Sequence, residues 1–534
     1  MDFLKNSMSP IGLLYGVALF SAVATGQELL GPAACATLKT SLPNVDVLNS
    51  VLHPDYINSQ YTYWNSRQSD YTPSCIIYPT SSQDISTAIK VIRATGSRFA
   101  IKAGGHNPND FFSSVDQGVL IDFKKMNGKS YDPETTLATY EPGNKFGDLY
   151  EFYEPLGRTV VGARLAGVGS GLALSGGLSF ISPQYGMACD SFRSLEIVLP
   201  SGEIVTASPE SNPDLFFASR GGGGNAYGIV TKYTVQSRPA GEFFAGNIIY
   251  LFEQTLDVLD AINNFAAYNT DPKASIIGTY EKLPTPDLTL NLDEFIIIFL
   301  VYDGPDAGTA FKNFTDIPSV LNTMSIKTYT EVTNMPAPLA AELSRGANTF
   351  RVAVQRVDDG NATIRAVYNN WNTWAEEHKG DYLLISLDFQ PVSKSLTDAS
   401  NSYEGGNAMQ MPEGPWMWIN YLLTLPPLTT ASNYNRIQAS FKAMVEAMPW
   451  MWINYLLTLP PLATASNYNR IQASFKAMVE AIPNSEGLPL FINDASVDQN
   501  PLETYGGYET LKVAKAKYDP DGFFTSKTGG WVFT

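Results

Sequence analysis

Three glycine clusters, separated by strand-like runs in the first half of the chain, constrain the fold more than any other feature. The first, Ala103-Gly104-Gly105-His106-Asn107, follows the apolar run Phe99-Ala100-Ile101-Lys102. The second extends from Gly162 through Gly167 and Gly169 to Gly176-Gly177, and the third is Arg220-Gly221-Gly222-Gly223-Gly224-Asn225-Ala226-Tyr227-Gly228. Glycine lacks a Cβ, so successive backbone N–H groups in such loops can close on a phosphate. Any one cluster could be loop punctuation. None carries GxGxxG followed by a ribose-binding carboxylate, so a Rossmann dinucleotide fold is not indicated.

The pattern around the clusters is α/β. It predicts a helix over Asp84–Thr95, strands at Phe99–Lys102, Gly118–Asp122 and Thr136–Glu141, and a helix over Phe146–Leu156. A hairpin is predicted from Leu195–Leu199 and Ile204–Thr206, joined through Pro200-Ser201-Gly202-Glu203. With 44% hydrophobic and 16% charged residues, the 534-residue chain is neither disordered nor a coiled coil, and its length suits two to four domains. A net charge of −17 argues against nucleic acid and anionic membranes as partners. There are three histidines, His53, His106 and His378, and no CxxC, HExxH or GxSxG spacing. No metal site is therefore expected, and zinc or serine hydrolysis has no anchor.

The N-terminus reads as a secretory signal over residues 1–24: Lys5, an apolar run from Ile11 to Phe20, then Ala22-Val23-Ala24 before Thr25. That run is too short to span a bilayer, so the expected mature protein is secreted, with no membrane association. In that setting Cys35 and Cys75 could close a disulfide loop, leaving Cys189 as a buried, inert thiol. Asn313 and Asn361 open N-glycosylation triplets. Farther along, Pro415–Met448 is repeated as Pro449–Ile482 with two changes, Thr429 to Ala463 and Met448 to Ile482. Each copy begins like a strand and ends like a helix, and two near-identical copies speak for a tandem duplication or an assembly error rather than a solenoid.

An ordered set of motifs resembles the flavin oxidases with a PCMH-type FAD-binding domain, especially the fungal berberine bridge enzyme-like proteins. Its carriers are Pro73-x-Cys75-Ile76-Ile77-x-Pro79, Ala103-Gly104-Gly105-His106, Gly162 to Gly177, Cys189-Asp190, Asp214-Leu215-Phe216 before Gly221–Thr231, and Lys517-Tyr518-Asp519-Pro520. The resemblance implies an α+β protein: a two-subdomain α/β PCMH-type FAD-binding domain (71–240) preceded by an N-terminal segment of the FAD domain (25–70), an inserted substrate domain of antiparallel sheet and helices that contains the repeat (241–500), and a C-terminal return to the FAD domain (501–534). It implies FAD bound covalently through His106, with Gly104, Gly105 and Asn107 at the pyrophosphate and Val168, Gly169, Gly177 and Ile229 lining the flavin. Relatives often add a cysteinyl link where this chain has Arg164-Leu165-Ala166, so a single link is expected. The Cys35–Cys75 pairing also matches a pattern seen in relatives.

On the substrate side, alternation in Trp416-Met417-Trp418-Ile419-Asn420-Tyr421 puts Trp416, Trp418 and Asn420 on one face. By resemblance to the Lys-x-Gln strand of plant relatives, Trp418 and Asn420 would face the flavin; ordinary core packing is the alternative. Trp452 and Asn454 of the second copy compete for the same place. Leu490–Ala495 resembles a strand where relatives often read Asn-Tyr with the tyrosine as catalytic base; Asp494 stands at that position and is the expected base, a solvated or turn-forming aspartate being the alternative. The implied activity is oxidation of an alcohol, sugar or secondary metabolite, with O2 reduced to H2O2. Oxidative cyclisation or desaturation, and a non-catalytic binding protein on the same scaffold, are the alternatives.

Overall fold

The computed structural model describes residues 30–284, 292–335, 346–357, 360–426 and 465–534. The expected signal segment, Trp452 and Asn454 lie outside the described residues. The fold is α+β.

Helix Ser82–Thr95 starts at Ser81, whose hydroxyl accepts from the Asp84 N–H, and stops at Gly96 in the left-handed region with φ 73°. Ile85, Ala88, Ile89 and Ile92 form its buried stripe and pack with Phe99, Val119 and Ile121. Those residues belong to a four-stranded sheet in which Cys75–Tyr78, Val119–Asp122 and Phe99–Lys102 run parallel and Asp46–Leu48 is antiparallel. The helix expected over Phe146–Leu156 ends at Tyr153 and tightens to a 3-10 turn at Glu154–Leu156, where Pro155 has no N–H to continue it.

Cys35, on helix Leu30–Ser41, is bonded to Cys75, closing 40 residues. Replacing both cysteines by alanine is expected to cost about 4 kcal/mol of stability on the loop-entropy model, measurable by urea unfolding. Cys189 is a buried free thiol, pushed up by burial and the neighbouring Asp190 carboxylate.

A five-stranded antiparallel sheet of Lys129–Asp132, Leu137–Tyr140, Ile229–Gln236, Phe192–Val198 and Ile204–Ala207 completes the glycine-rich half. The other half is a large antiparallel sheet with central order Phe243–Tyr250, Glu294–Tyr302, Ala274–Lys282, Leu384–Val392, Trp416–Leu425 and Ala347–Arg356. Alternation along Trp416–Leu425 splits its side chains. Met417, Ile419, Tyr421 and Leu423 join the core under helices Thr255–Tyr268, Ala362–Glu377 and Ala465–Glu480. Trp416, Trp418 and Leu422 face the other core, shared with the glycine-rich half. The strand comes from the first copy of the repeat, and helix Ala465–Glu480 from the second. The chain then returns: Phe523 and Phe524 pack on Phe99 at 5.4 and 5.7 Å, and Lys527 Nζ donates to Gly96 O at 2.9 Å.

The segment expected as a strand at Leu490–Ala495 is instead a 3-10 turn at Ile492–Asp494. Among the described residues no sheet edge pairs with it. The Leu490 N–H bonds Thr504 Oγ1 (2.9 Å), and the Asn493 side chain spans Gly177 N and Leu172 O, both at 3.1 Å.

Candidate active site

A cavity of about 380 Å³ separates the glycine loops from the inner face of the large sheet. On the loop side, Gly104, Gly105, His106, Asn107, Val168, Gly169 and Ile229 line it. The first two clusters meet so closely that a Cβ on Gly104 would lie 2.4 Å from Gly169 N, and one on Gly169 2.3 Å from Gly104 N. Gly105 has φ 68°, a backbone shape that favours glycine. Gly177 stands one layer back. It also has positive φ (76°), a Cβ there would press on Ala188 Cβ at 2.8 Å, and its N–H is held by Asn493 Oδ1.

His106 opens onto the cavity, and burial, helped by the Lys145 charge, lowers its pKa to about 4. Its imidazole is therefore neutral at physiological pH, with a lone pair available on one nitrogen.

The sheet side is a polar ladder on three neighbouring strands. Thr279 pairs with Asp388, and Asp388 with Asn420, so all three side chains share one face; Glu281, Ser386 and Gln390 extend the ladder. Asp388 Oδ2 accepts from Asn420 Nδ2 at 3.1 Å. Burial first, then the Asp494 charge, raises the Asp388 pKa to about 7 against the opposing effects of the Thr279 hydrogen bond, Arg164 and Asn420. Asp494 is also pushed up by burial, offset by Arg164 and by Gln390, whose Nε2 donates to Asp494 Oδ2 at 3.0 Å. Arg164 donates in turn to Gln390 Oε1. Glu281 is raised well above the carboxylate range by burial and by Asp388. Among the described residues Glu281 Oε2 and Asn420 Oδ1 have no hydrogen-bond partner, and both are buried in this wall.

Trp418 does not reach the cavity. Its Nε1 donates to Pro489 O at 2.7 Å and its ring stacks on Phe491 at 4.5 Å; Phe491 is what lines the site. Asn420 and Asp494 do line it.

Residues 73–208 match the family model described as an FAD binding domain. An uncharacterised FAD-linked oxidoreductase of Arthroderma benhamiae is 35% identical over 399 residues, covering 72% of this chain and 76% of its own. The chain is an FAD-linked oxidoreductase. Similarity extends to an FAD-dependent monooxygenase of Arthrobotrys oligospora, 27% identical over 86% of this chain and 82% of that one. The fold matches that of the xylooligosaccharide oxidase of Myceliophthora thermophila in complex with xylobiose, with TM-score 0.69, 18% identity and coverage of 92% and 98%.

The loop side of this oxidoreductase fits FAD. Two glycine loops leave no side chain between them, and a neutral imidazole faces the same cavity. Gly104, Gly105, Asn107, Val168, Gly169 and Ile229 are the residues that would hold the cofactor. Sequence reasoning missed Asp388, Glu281, Gln390 and Thr279. A signal was present: Leu384-Ile385-Ser386-Leu387-Asp388-Phe389-Gln390 alternates apolar and polar side chains, and Thr279-x-Glu281 does so on the adjacent strand.

Proposed function

We propose that the enzyme oxidises a hydroxyl-bearing carbon of a sugar, alcohol or secondary metabolite and passes the electrons to O2 as H2O2. The observation that carries this reading is Asp388, a half-buried carboxyl with pKa about 7 that stands in the sheet wall opposite the glycine loops. Bound FAD supplies the hydride acceptor. Asp388 takes the hydroxyl proton as hydride leaves carbon, a role for which a pKa near the working pH is favourable. Asn420 Nδ2 orients it, and the neighbouring Asp494 carboxyl raises the Asp388 value through its charge. The base thus moves from Asp494, the sequence expectation, to its neighbour.

Incubation under 18O2 with a panel of sugars, alcohols and phenolic metabolites tests the reading. An oxidase leaves both labelled atoms in peroxide. Label in the organic product would replace it with oxygen insertion, the activity named for the Arthrobotrys relative.

Arg164 lowers both carboxyl values through its charge. Replacing it by methionine removes that effect, so the rising limb of the flavin-reduction pH profile should move to higher pH by about one unit or more.

The same proposal includes one covalent bond, from His106 to the flavin 8α carbon. In that attachment one hydrogen leaves the 8α methyl group and one leaves the imidazole N–H, and O2 takes both, with two electrons, as H2O2. It also includes secretion, supported by the Cys35–Cys75 bond, which persists in oxidising compartments. Glycans would go on exposed Asn313 and half-buried Asn361. Intact mass of protein from the culture medium reports signal removal, glycans and flavin together.

A further inference from the structure

His106 receives little support from its own loop. Its neighbours are Gly104, Gly105 and Asn107, and a Cβ on Gly167 would sit 3.8 Å from Nε2. Among the described residues no hydrogen bond reaches either ring nitrogen. The histidine χ2 torsion is broad, so the ring plane must be set by packing.

Trp64 sets it. The indole lies 5.3 Å from the imidazole with an interplanar angle of 13°, and it also stacks on Phe350 at 5.1 Å and 11°. Three nearly parallel rings thus come from three parts of the chain: the first glycine loop, the segment after helix Pro54–Tyr61, and strand Ala347–Arg356. Trp64 is itself pinned. Its N–H donates to Gly105 O at 3.1 Å, and its carbonyl accepts from Asn348 Nδ2 at 3.4 Å. The next residue, Asn65, is fully buried and makes all four bonds its amide allows. Nδ2 donates to Pro108 O (2.8 Å) and Asn348 O (3.0 Å), while Oδ1 accepts from Asn348 N (3.0 Å) and Arg67 N (3.2 Å). Asn65 therefore bolts the segment to the loop that follows His106 and to the sheet of the other half.

We propose that Trp64 is the positioning residue for covalent flavin attachment, its indole face holding the His106 ring so that one nitrogen points at the flavin 8α carbon. This rests on the His106 linkage proposed above. The lone pair is already free, because the imidazole is neutral; what remains to be supplied is orientation. Fixing the angle of approach of a reacting atom is worth orders of magnitude in rate, and a stacked plane removes the rotation that would waste it.

The test uses the full chain with Trp64→Leu, which keeps an apolar side chain against Phe350 without a flat face, and Trp64→Phe, which keeps the face. Three quantities are read: total flavin per protein, the fraction retained after acid precipitation, and the growth of that fraction on incubation with FAD in air. Trp64→Leu should still bind FAD, with a melting temperature lowered by the lost ring packing, yet attach it about tenfold more slowly or worse. Trp64→Phe should attach it near the parent rate. Attachment at the parent rate in Trp64→Leu, or a loss in Trp64→Phe as large as in Trp64→Leu, would overturn the proposal. Should Trp64→Leu not fold, Trp64→Met replaces it with the same two readings. A parent without acid-stable flavin would instead refute the His106 linkage, and this proposal with it.

Discussion

Replacing Asp388 by asparagine is expected to slow substrate-driven flavin reduction by about a hundred- to ten-thousand-fold, the usual contribution of a positioned general base. The substitution keeps shape, and the carbonyl of the new amide can still accept from Asn420 Nδ2, so FAD content should not change. Stopped-flow reduction under anaerobic conditions measures the effect. The parent rate should climb as pH rises through about 7, because the base works only when ionised, whereas the variant should show no such limb.

Stability supplies an independent check on Asp388. Its folded value, about 7, lies above the 3.8 of a solvated aspartate, so folding favours the protonated form. The stabilisation tied to that proton is complete below pH 4 and disappears as pH climbs through 7. Asp388→Asn should therefore melt with the parent at pH 4 and above it at pH 8. Asp494→Asn separates the two carboxyls: removing the charge that raises Asp388 should move the rate limb to lower pH with a smaller loss of rate. A larger loss in Asp494→Asn than in Asp388→Asn would return the role of base to Asp494.

His106→Ala should abolish acid-stable flavin altogether. The glycine loops remain, so FAD should still bind, now as an ordinary ligand. Its occupancy should fall on dilution and recover when FAD is added. A ligand that binds only the folded state stabilises by mass action, so the melting temperature of the variant should rise with added FAD. With the proposed linkage in place, the parent should show no such dependence. Acid precipitation and a melting series against FAD concentration test both statements, and flavin retained in the His106→Ala pellet would move the linkage to another residue.

The loop side of the site was legible in the sequence because backbone geometry dictates residue type there. Gly104 and Gly169 tolerate no Cβ, and no other residue type serves. The substrate wall was harder to read. Ser386, Asp388 and Gln390 alternate visibly, but which face of their strand meets a cavity depends on packing against loops more than 200 residues away. Trp418 was expected in the site by analogy with a plant strand. The Pro489–Phe491 segment slips between it and the cavity, and nothing local in Trp416–Leu425 announces that. Trp64 carried no signal, since its partners, His106 and Phe350, come together only when both halves are folded.

The substrate sheet takes its strand from one copy of the repeat and the covering helix from the other, and this choice is not unique. The copies differ at two positions, both outside the buried stripes of that strand and helix, so the same side chains can be buried in three ways. The surplus 34 residues can precede the strand, separate strand from helix, or follow the helix. These threadings differ in loop closure, which grows slowly with length, and at Ile482, which packs against the core where the first copy has Met448. At the level of sequence the duplication therefore offers each whole element twice. Unlike slippage within a strand, it turns no residue to the wrong face, and every version presents the same tryptophan, asparagine and leucine to the flavin side.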